Sequence, residues 1–276
     1  MTVFSVESLI PDLLAIARKA GDEIMAIYHL EDQGIKTKSD STPVTKADLA
    51  ANAVIIKGLE SLPVNYPILS EESEHKDWAI RQQWQRYWLV DPLDGTKEFI
   101  SRNGQFTVNI ALIDQHYPML GIVYVPCMDT VYYGGKGLGS WKQEGASAAV
   151  AISPRKFEPE IDVVVLGSRS YGSERAQQYI KGLQAMHPNL ELKKMGSSLK
   201  SCAVAEGSAD MYPRLGPTSE WDTGAAQAVV EGAGGIFLDY EGMRFSYNQK
   251  ESLINSDFLV MGDRHIEWAG FWPPKV

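Results

Sequence analysis

From Ile68 to Tyr133 the chain breaks into short runs of apolar and β-branched residues: Ile68–Leu69, Tyr87–Val90, Phe106–Ile113, Met119–Val125 and Thr130–Tyr133. Runs this short, separated by turn-forming residues, fit strands better than helices. The bridges Gln115-His116-Tyr117-Pro118 and Pro126-Cys127-Met128-Asp129 are too brief for a crossover, so neighbouring strands are expected to pair antiparallel. Such a sheet needs something to cover it, and the N-terminal sequence supplies it. Leu9, Leu13, Ile16, Ala17, Ala20, Ile24 and Ile27 recur at helical spacing and predict an amphipathic first helix. Thr45-Lys46-Ala47-Asp48 has capping-box form with Asp in the Glu position, opening a second helix whose apolar pattern runs over Ala50–Leu62 before Pro63 and Pro67 close it.

Beyond Gly145–Pro159, which carries little signal, the pattern resumes. It reads as a strand at Val163–Leu166, a helix over Glu174–Met186, a strand at Leu190–Met195, a short helix over Ser198–Glu206, a strand near Asp210–Tyr212 and an Ala-rich helix over Thr223–Ala233. A boundary near residues 145–160 divides the chain into an N-terminal half, 1–150, and a C-terminal half, 151–276. The glycines of Gly134–Ser140 match neither a P-loop nor a dinucleotide fingerprint, which excludes a nucleotide loop there. With 26 basic and 35 acidic residues the net charge is −9, the wrong sign for a binder of nucleic acid polymers. Cys127 and Cys202 form no CxxC pair, which fits a reducing, cytoplasmic location. No run of about twenty uncharged apolar residues exists, and Asp12 interrupts the N-terminal apolar stretch, so neither a membrane span nor a signal peptide is expected.

The chemistry is in the acids that interrupt this apolar texture. The strand Tyr87–Val90 is expected to end in a tight turn, Asp91-Pro92-Leu93-Asp94-Gly95-Thr96, that aims two carboxylates and an intervening carbonyl at one point. Glu71 and Glu72 stand just beyond Ile68–Leu69, and Asp222 precedes the small-residue helix. Taken singly, each has a plain structural explanation: an Asx turn, a solvated face, an N-cap worth about 1 kcal/mol. Brought together, these carboxylates would repel one another unless cations sat between them, and hard oxygen ligands suit Mg²⁺. The five histidines show no paired ligand spacing, which disfavours zinc. If Gly95 and Thr96 open a helical turn, an anion finds backbone N–H groups there. Gly224 and Ala225 offer the same close approach to a helix backbone.

Glu71-Glu72, Asp91-Pro-Leu-Asp-Gly-Thr96 and Trp221-Asp222 occur in the order and at the separations seen in the inositol monophosphatase superfamily. The chain resembles that superfamily over nearly its whole length. Asp91–Phe99, Gln85–Val90 and Gly196-Ser-Ser-Leu-Lys200 most resemble its CysQ-type 3'(2'),5'-bisphosphate nucleotidases. The resemblance implies an α+β fold, a layered αβαβα sandwich with the site between its halves. It further implies that Glu71, Asp91, Asp94, Asp222 and the Leu93 carbonyl hold two or three Mg²⁺ ions. Asp48 and Thr96 would form a hydrogen-bonded pair that, with Glu71, orients and deprotonates the attacking water, a role favoured over the capping box that also accounts for Asp48. Ser197, Lys200 and Arg214 match nucleotide-contacting positions and would join Leu93, Asp94, Gly95, Thr96 and Asp222 in binding substrate. Without the resemblance, Lys200 and Arg214 read as surface cations. One departure is Ser168-Arg169-Ser170-Tyr171, where relatives often carry His in place of Tyr171; Tyr cannot carry positive charge at neutral pH.

The expected reaction is hydrolysis of 3'-phosphoadenosine 5'-phosphate to AMP and phosphate, with the 5'-phosphosulfate as a second substrate, in sulfur assimilation. An inositol- or sugar-phosphate phosphatase is the alternative within the superfamily, and a non-catalytic metal-binding regulator the alternative outside it. Peripheral contact with the inner membrane face is a property of some relatives, for which no basic amphipathic helix argues here. Oligomeric state is left open.

Overall fold

Residues 5–37, 43–158, 162–168 and 174–263 are described by the computed structural model of the chain. After a 3-10 turn at Val6–Leu9, α1 (Ile10–Tyr28) buries Leu13, Ala17, Ala20, Gly21 and Ile24, the single stripe that a 3.6-residue period produces. A small ladder of β1 (Lys36–Thr37) and β2 (Pro43–Val44) leads into α2 (Lys46–Glu60). The predicted capping box opens α2: Thr45 Oγ1 accepts the Ala47 N–H at 3.1 Å, and Asp48 Oδ2 accepts the Thr45 N–H at 2.7 Å. The buried stripe of α2 runs Ala47, Asp48, Ala51, Ile55, Leu59, so a carboxylate sits at the end of an otherwise apolar face.

Seven strands then form one sheet in chain order. They are β3 (Ile68–Ser70), β4 (Arg86–Asp94), β5 (Thr107–Asp114), β6 (Tyr117–Val125), β7 (Thr130–Gly135), β8 (Gly139–Glu144) and β9 (Val150–Ala151). All neighbours pair antiparallel except β3 and β4, which are parallel. Short helices α3 (Trp78–Arg81) and α4 (Thr96–Ile100) flank β4. Both faces are buried, which is why Tyr87–Val90 reads as an unbroken apolar run. Trp88, Val90, Ile110 and Leu112 pack with α1 and α2, while Tyr87, Leu89, Ala111 and Ile113 belong to the core on the opposite face.

The remaining elements are β10 (Val164–Ser168), α5 (Glu174–Met186), β11 (Glu191–Met195), α6 (Leu199–Ala205), β12 (Met211–Arg214), α7 (Gly224–Gly232), β13 (Ile236–Asp239) and β14 (Phe258–Met261). The second sheet runs β11-β10-β12-β14-β13, parallel across β11, β10 and β12 and antiparallel thereafter. α6 and α7 lie between the sheets, sharing a core with Leu89 and Ala111 on one side and Val164 and Phe258 on the other. α5 covers the far face through Tyr179 and Leu183. The layers are therefore α1/α2, seven strands, α6/α7, five strands, α5: the expected αβαβα sandwich.

Two expectations change. β4 does not stop at Val90 but continues through Asp94, with a register irregularity between Asp91 and Asp94. Pro92 cannot donate to a ladder, and the bulge absorbs it. Gly224 and Ala225 are buried against the seven-stranded sheet rather than open to a ligand. A Cβ on Gly121 of β6 would lie 2.2 Å from the Ala225 carbonyl, so the small residues serve helix–sheet contact. The structure also adds α3, β8, β13 and β14, whose short or polar stretches carry little periodicity of their own.

Candidate metal centre and active site

Side-chain alternation along β4 places Asp91 on the same face as Tyr87 and Leu89, towards the layer of α6 and α7. The parallel partner β3 brings Glu71 beside it: Ser70 is in register with Val90, and the Glu71 N–H donates to the Val90 carbonyl at 3.1 Å. In a regular strand Asp94 would point to the opposite face from Asp91. The irregularity between them brings both carboxylates towards one site. Asp222 arrives from the other side of the cleft at the end of a 3-10 turn, Glu220–Asp222, that precedes α7. Its Oδ2 accepts the Ser219 N–H at 2.9 Å. Asp222 does not cap α7, whose N-cap is Thr223; instead it closes the capping box of its own 3-10 turn with Ser219. His75 links the residues that precede Glu71 and Asp222, donating from Nε2 to the Ser70 carbonyl at 2.9 Å with its ring centroid 5.1 Å from that of Trp221.

One oxygen each from Glu71, Asp91 and Asp222 lies within 4.8 Å of the others. Three points so spaced have a centre no more than about 2.8 Å from each, close to the 2.0–2.6 Å that Mg²⁺ or Ca²⁺ requires of oxygen ligands. Small side-chain rotations close the difference, so the donor set fits a hard divalent cation. The electrostatics say the same. Burial first, then the charges of Glu71, Asp94, Asp222 and Asp48, drive the Asp91 carboxyl well above the usual carboxylate range. Burial, Asp94 and Glu71 do the same to Asp222. Asp94 stands beside this trio, its Oδ2 accepting the Ser198 N–H at 2.6 Å and the Ser198 hydroxyl at 2.8 Å. Leu93 lines the cleft, and its N–H donates to Asp91 Oδ1 at 3.0 Å, so the Asx-turn reading of Asp91 holds alongside the metal reading.

Thr96 begins α4 after Gly95, whose φ of 92° is in the left-handed region that favours glycine. The Thr96 hydroxyl donates to Asp48 Oδ1 at 3.2 Å. Asp48 therefore caps α2 through Oδ2 and also makes the hydrogen bond expected with Thr96 through Oδ1. Burial pushes the Asp48 carboxyl up, opposed by its bonds from Thr45 and Thr96.

The cleft encloses about 250 Å³, and Ser197, Lys200 and Arg214 line it together with the acids. Lys200 and Arg214 are 5% and 9% exposed, which rules out the surface-cation reading. Lys200 Nζ donates to the Ser197 carbonyl at 2.6 Å and sits 5.0 Å from the centre of the Tyr212 ring. Burial lowers its pKa to about 8. Arg214 Nη2 donates to the Pro217 carbonyl at 2.8 Å. Tyr171 lies outside the described residues. The structure also adds residues that sequence reasoning passed over: Ser198, Asn109, and the buried set of Glu220, Asn248 and Arg81. Glu220 accepts the Asn248 N–H at 2.9 and 3.0 Å, and Arg81 donates to Asn248 Oδ1 at 2.8 Å. Ser198 lies in Gly196-Ser-Ser-Leu-Lys200, where nothing local separates it from Ser197.

Residues 6–267 match the inositol monophosphatase family. The 3'(2'),5'-bisphosphate nucleotidase CysQ of Salmonella typhimurium is 45% identical over 253 residues, covering 91% of this chain and 99% of that protein. The protein of the same name from Buchnera aphidicola is 40% identical over 255 residues, covering 91% and 93%. Among solved structures, CysQ from Bacteroides thetaiotaomicron superposes with a TM-score of 0.79 at 38% identity, over 92% of this chain and 97% of that one. The extragenic suppressor protein suhB from Bartonella henselae gives 0.76 at 24% identity, over 94% and 95%, a likeness of fold alone. Among the described residues no helix is long and apolar enough to cross a membrane. With acids that could hold a cation gathered where β3 and β4 end and the sandwich built around them, the chain belongs to the inositol monophosphatase family.

Proposed function

We propose that this chain is a Mg²⁺-dependent phosphomonoesterase that converts 3'-phosphoadenosine 5'-phosphate to AMP and phosphate, and also accepts the 5'-phosphosulfate. The observation that carries the reading is the Thr96–Asp48 hydrogen bond beside the trio Glu71, Asp91 and Asp222: a proton acceptor stands next to a cation-binding set. The substrate class rests on the relatives named above and on two buried cations that line the same cleft as the acids. Glu71, Asp91, Asp94, Asp222 and the Leu93 carbonyl would hold two or three ions. When bound, Mg²⁺ neutralises phosphate charge and acidifies water.

The chain's own residues do the rest. With its proton donated to Asp48, the Thr96 hydroxyl keeps lone pairs to accept from the attacking water, and Glu71 fixes that water from the other side. As the new P–O bond forms and the ester P–O bond breaks, the water's proton moves through Thr96 to Asp48. Burial has already raised the proton affinity of Asp48, and the departing 3'-oxygen takes a proton from solvent. Lys200 and Arg214, with Ser197, receive the second phosphate; Lys200 remains mostly protonated at neutral pH. The work divides between the halves: 1–150 supplies Asp48, Glu71 and the Asp91–Thr96 segment, and 151–276 supplies Asp222 and the substrate cations. The location that fits is the cytoplasm.

Phosphate release from the nucleotide bisphosphate and from inositol 1-phosphate, with Mg²⁺, Ca²⁺ or Li⁺, tests the proposal. The expected result is Mg²⁺-dependent turnover with kcat/KM at least about 10²-fold higher for the nucleotide. A preference for inositol 1-phosphate overturns the substrate, and no Mg²⁺-dependent release from either overturns the enzyme.

A further inference from the structure

Ser198 stands where four elements meet. Its hydroxyl oxygen lies 2.8 Å from Asp94 Oδ2 on β4 and 2.8 Å from the Asp222 carbonyl just before α7, and it accepts the Asn109 amide of β5 at 2.9 Å. Its own N–H, at the start of α6, donates to the same Asp94 oxygen at 2.6 Å. The residue is 4% exposed. A hydroxyl has one proton and two lone pairs. With Asn109 filling one lone pair, the single proton has two acceptors, Asp94 on β4 and the Asp222 carbonyl on the turn before α7. The backbone N–H keeps Asp94 held whichever acceptor takes the proton, so the hydroxyl can serve Asp222 without releasing Asp94.

We propose that the Ser198 hydroxyl is a positioning group that sets the separation of Asp94 and Asp222, and through it the affinity for the divalent cation. The inference rests on the reading of these two acids as cation ligands. It is specific to the hydroxyl, because Ala at this position retains the N–H bond to Asp94 and loses the hydroxyl's bonds to Asp94 and Asp222 together with the acceptor for Asn109. Ser198 touches no reacting atom; it acts through its two acids.

Mn²⁺ binding to the full chain, followed by the electron paramagnetic resonance signal of free Mn²⁺, reads this directly. Ser198→Ala is expected to weaken Mn²⁺ about tenfold, the usual scale for groups that orient metal ligands. The Mg²⁺ concentration that half-saturates phosphate release should rise by the same factor. The KM for nucleotide at saturating Mg²⁺ should change less than about twofold, and Ser198→Thr, which restores the hydroxyl, should recover most of the affinity. Should Thr fail to fit the buried site, Asn109→Ala provides the second arm: Asn109 Nδ2 donates to the Ser198 hydroxyl at 2.9 Å and lies 3.5 Å from Asp94 Oδ2, so the loss of Mn²⁺ affinity in the Ser198→Ala, Asn109→Ala double variant should be less than the two single losses combined, and a fully additive loss overturns the proposal. Wild-type Mn²⁺ affinity in Ser198→Ala overturns the proposal. So does a fall in affinity matched by metal-free unfolding at the assay temperature, which marks general destabilisation. A wild-type chain that binds no Mn²⁺ overturns the ligand reading itself, and the proposal falls with it.

Discussion

Cation binding should expel protons. Two unit charges 4.8 Å apart, the outer spacing of the Glu71, Asp91 and Asp222 oxygens, repel by about 3.5 kcal/mol at an effective dielectric constant of about 20. Three such pairs make full ionisation cost on the order of 10 kcal/mol before Asp94 and burial add to it. Without a cation the cluster therefore keeps protons at neutral pH, in line with the upward displacement of Asp91 and Asp222. A divalent ion reverses the balance, since it needs carboxylates and not carboxylic acids. The sign follows: affinity for Mg²⁺ rises with pH, by about tenfold per pH unit wherever one proton is displaced. Titration calorimetry at pH 7 in buffers of different ionisation enthalpy should register release of about one proton per chain. Asp91→Asn, which removes one charge from the trio, should lower that number. Proton release near zero, with Mg²⁺ affinity flat between pH 5.5 and 8, would refute the argument that mutual repulsion defines this site.

Asp91→Asn should cut phosphate release on the order of 10³-fold, yet raise the melting temperature of the metal-free protein, because a carboxyl that burial and its neighbours hold above its ordinary range is gone; a lower melting temperature counts against the cluster. Thr96→Val should lower kcat about 10²-fold while Mn²⁺ affinity stays within about threefold, separating water orientation from metal binding. Burial raises the Glu220 pKa to about 7 from an ordinary value near 4.5. The folded state thus binds the extra proton between those values, and stability is full at the acid end and falls as pH rises through about 7, by up to about 3 kcal/mol. Denaturant melts of Glu220→Gln should show this loss diminished. Gly121→Ala forces a methyl group against the Ala225 carbonyl, 2.2 Å away before relaxation. It should cost about 3 kcal/mol; a neutral effect in urea melts would show that α7 does not lie so close to β6.

Much of the framework is legible in local sequence because periodicity is a local property. The stripes of α1 and α2, the capping box at Thr45, the apolar run of β4 and the boundaries of α5 all follow from residues within one or two turns or one strand. Elements read poorly where their stabilisation comes from elsewhere. β13 and β14 are four residues each and are held by cross-strand pairing with each other and with β12, while β8 is polar.

The acids and their order were visible one by one, which is enough to mark a hard-cation chemistry. Their convergence was expected only through the family resemblance and is not readable from local pattern. It depends on the parallel register that puts Glu71 beside Asp91, on the irregularity that turns Asp94 towards the same site, and on α7 lying against β6 so that Asp222 crosses from the other half. Burial of Lys200 and Arg214, and the choice of Ser198 over Ser197 as the partner of Asp94, are likewise tertiary outcomes. Side-chain type and spacing are written along the chain, whereas distances between residues far apart in sequence are set only when the layers pack and fix one relative placement of their ends.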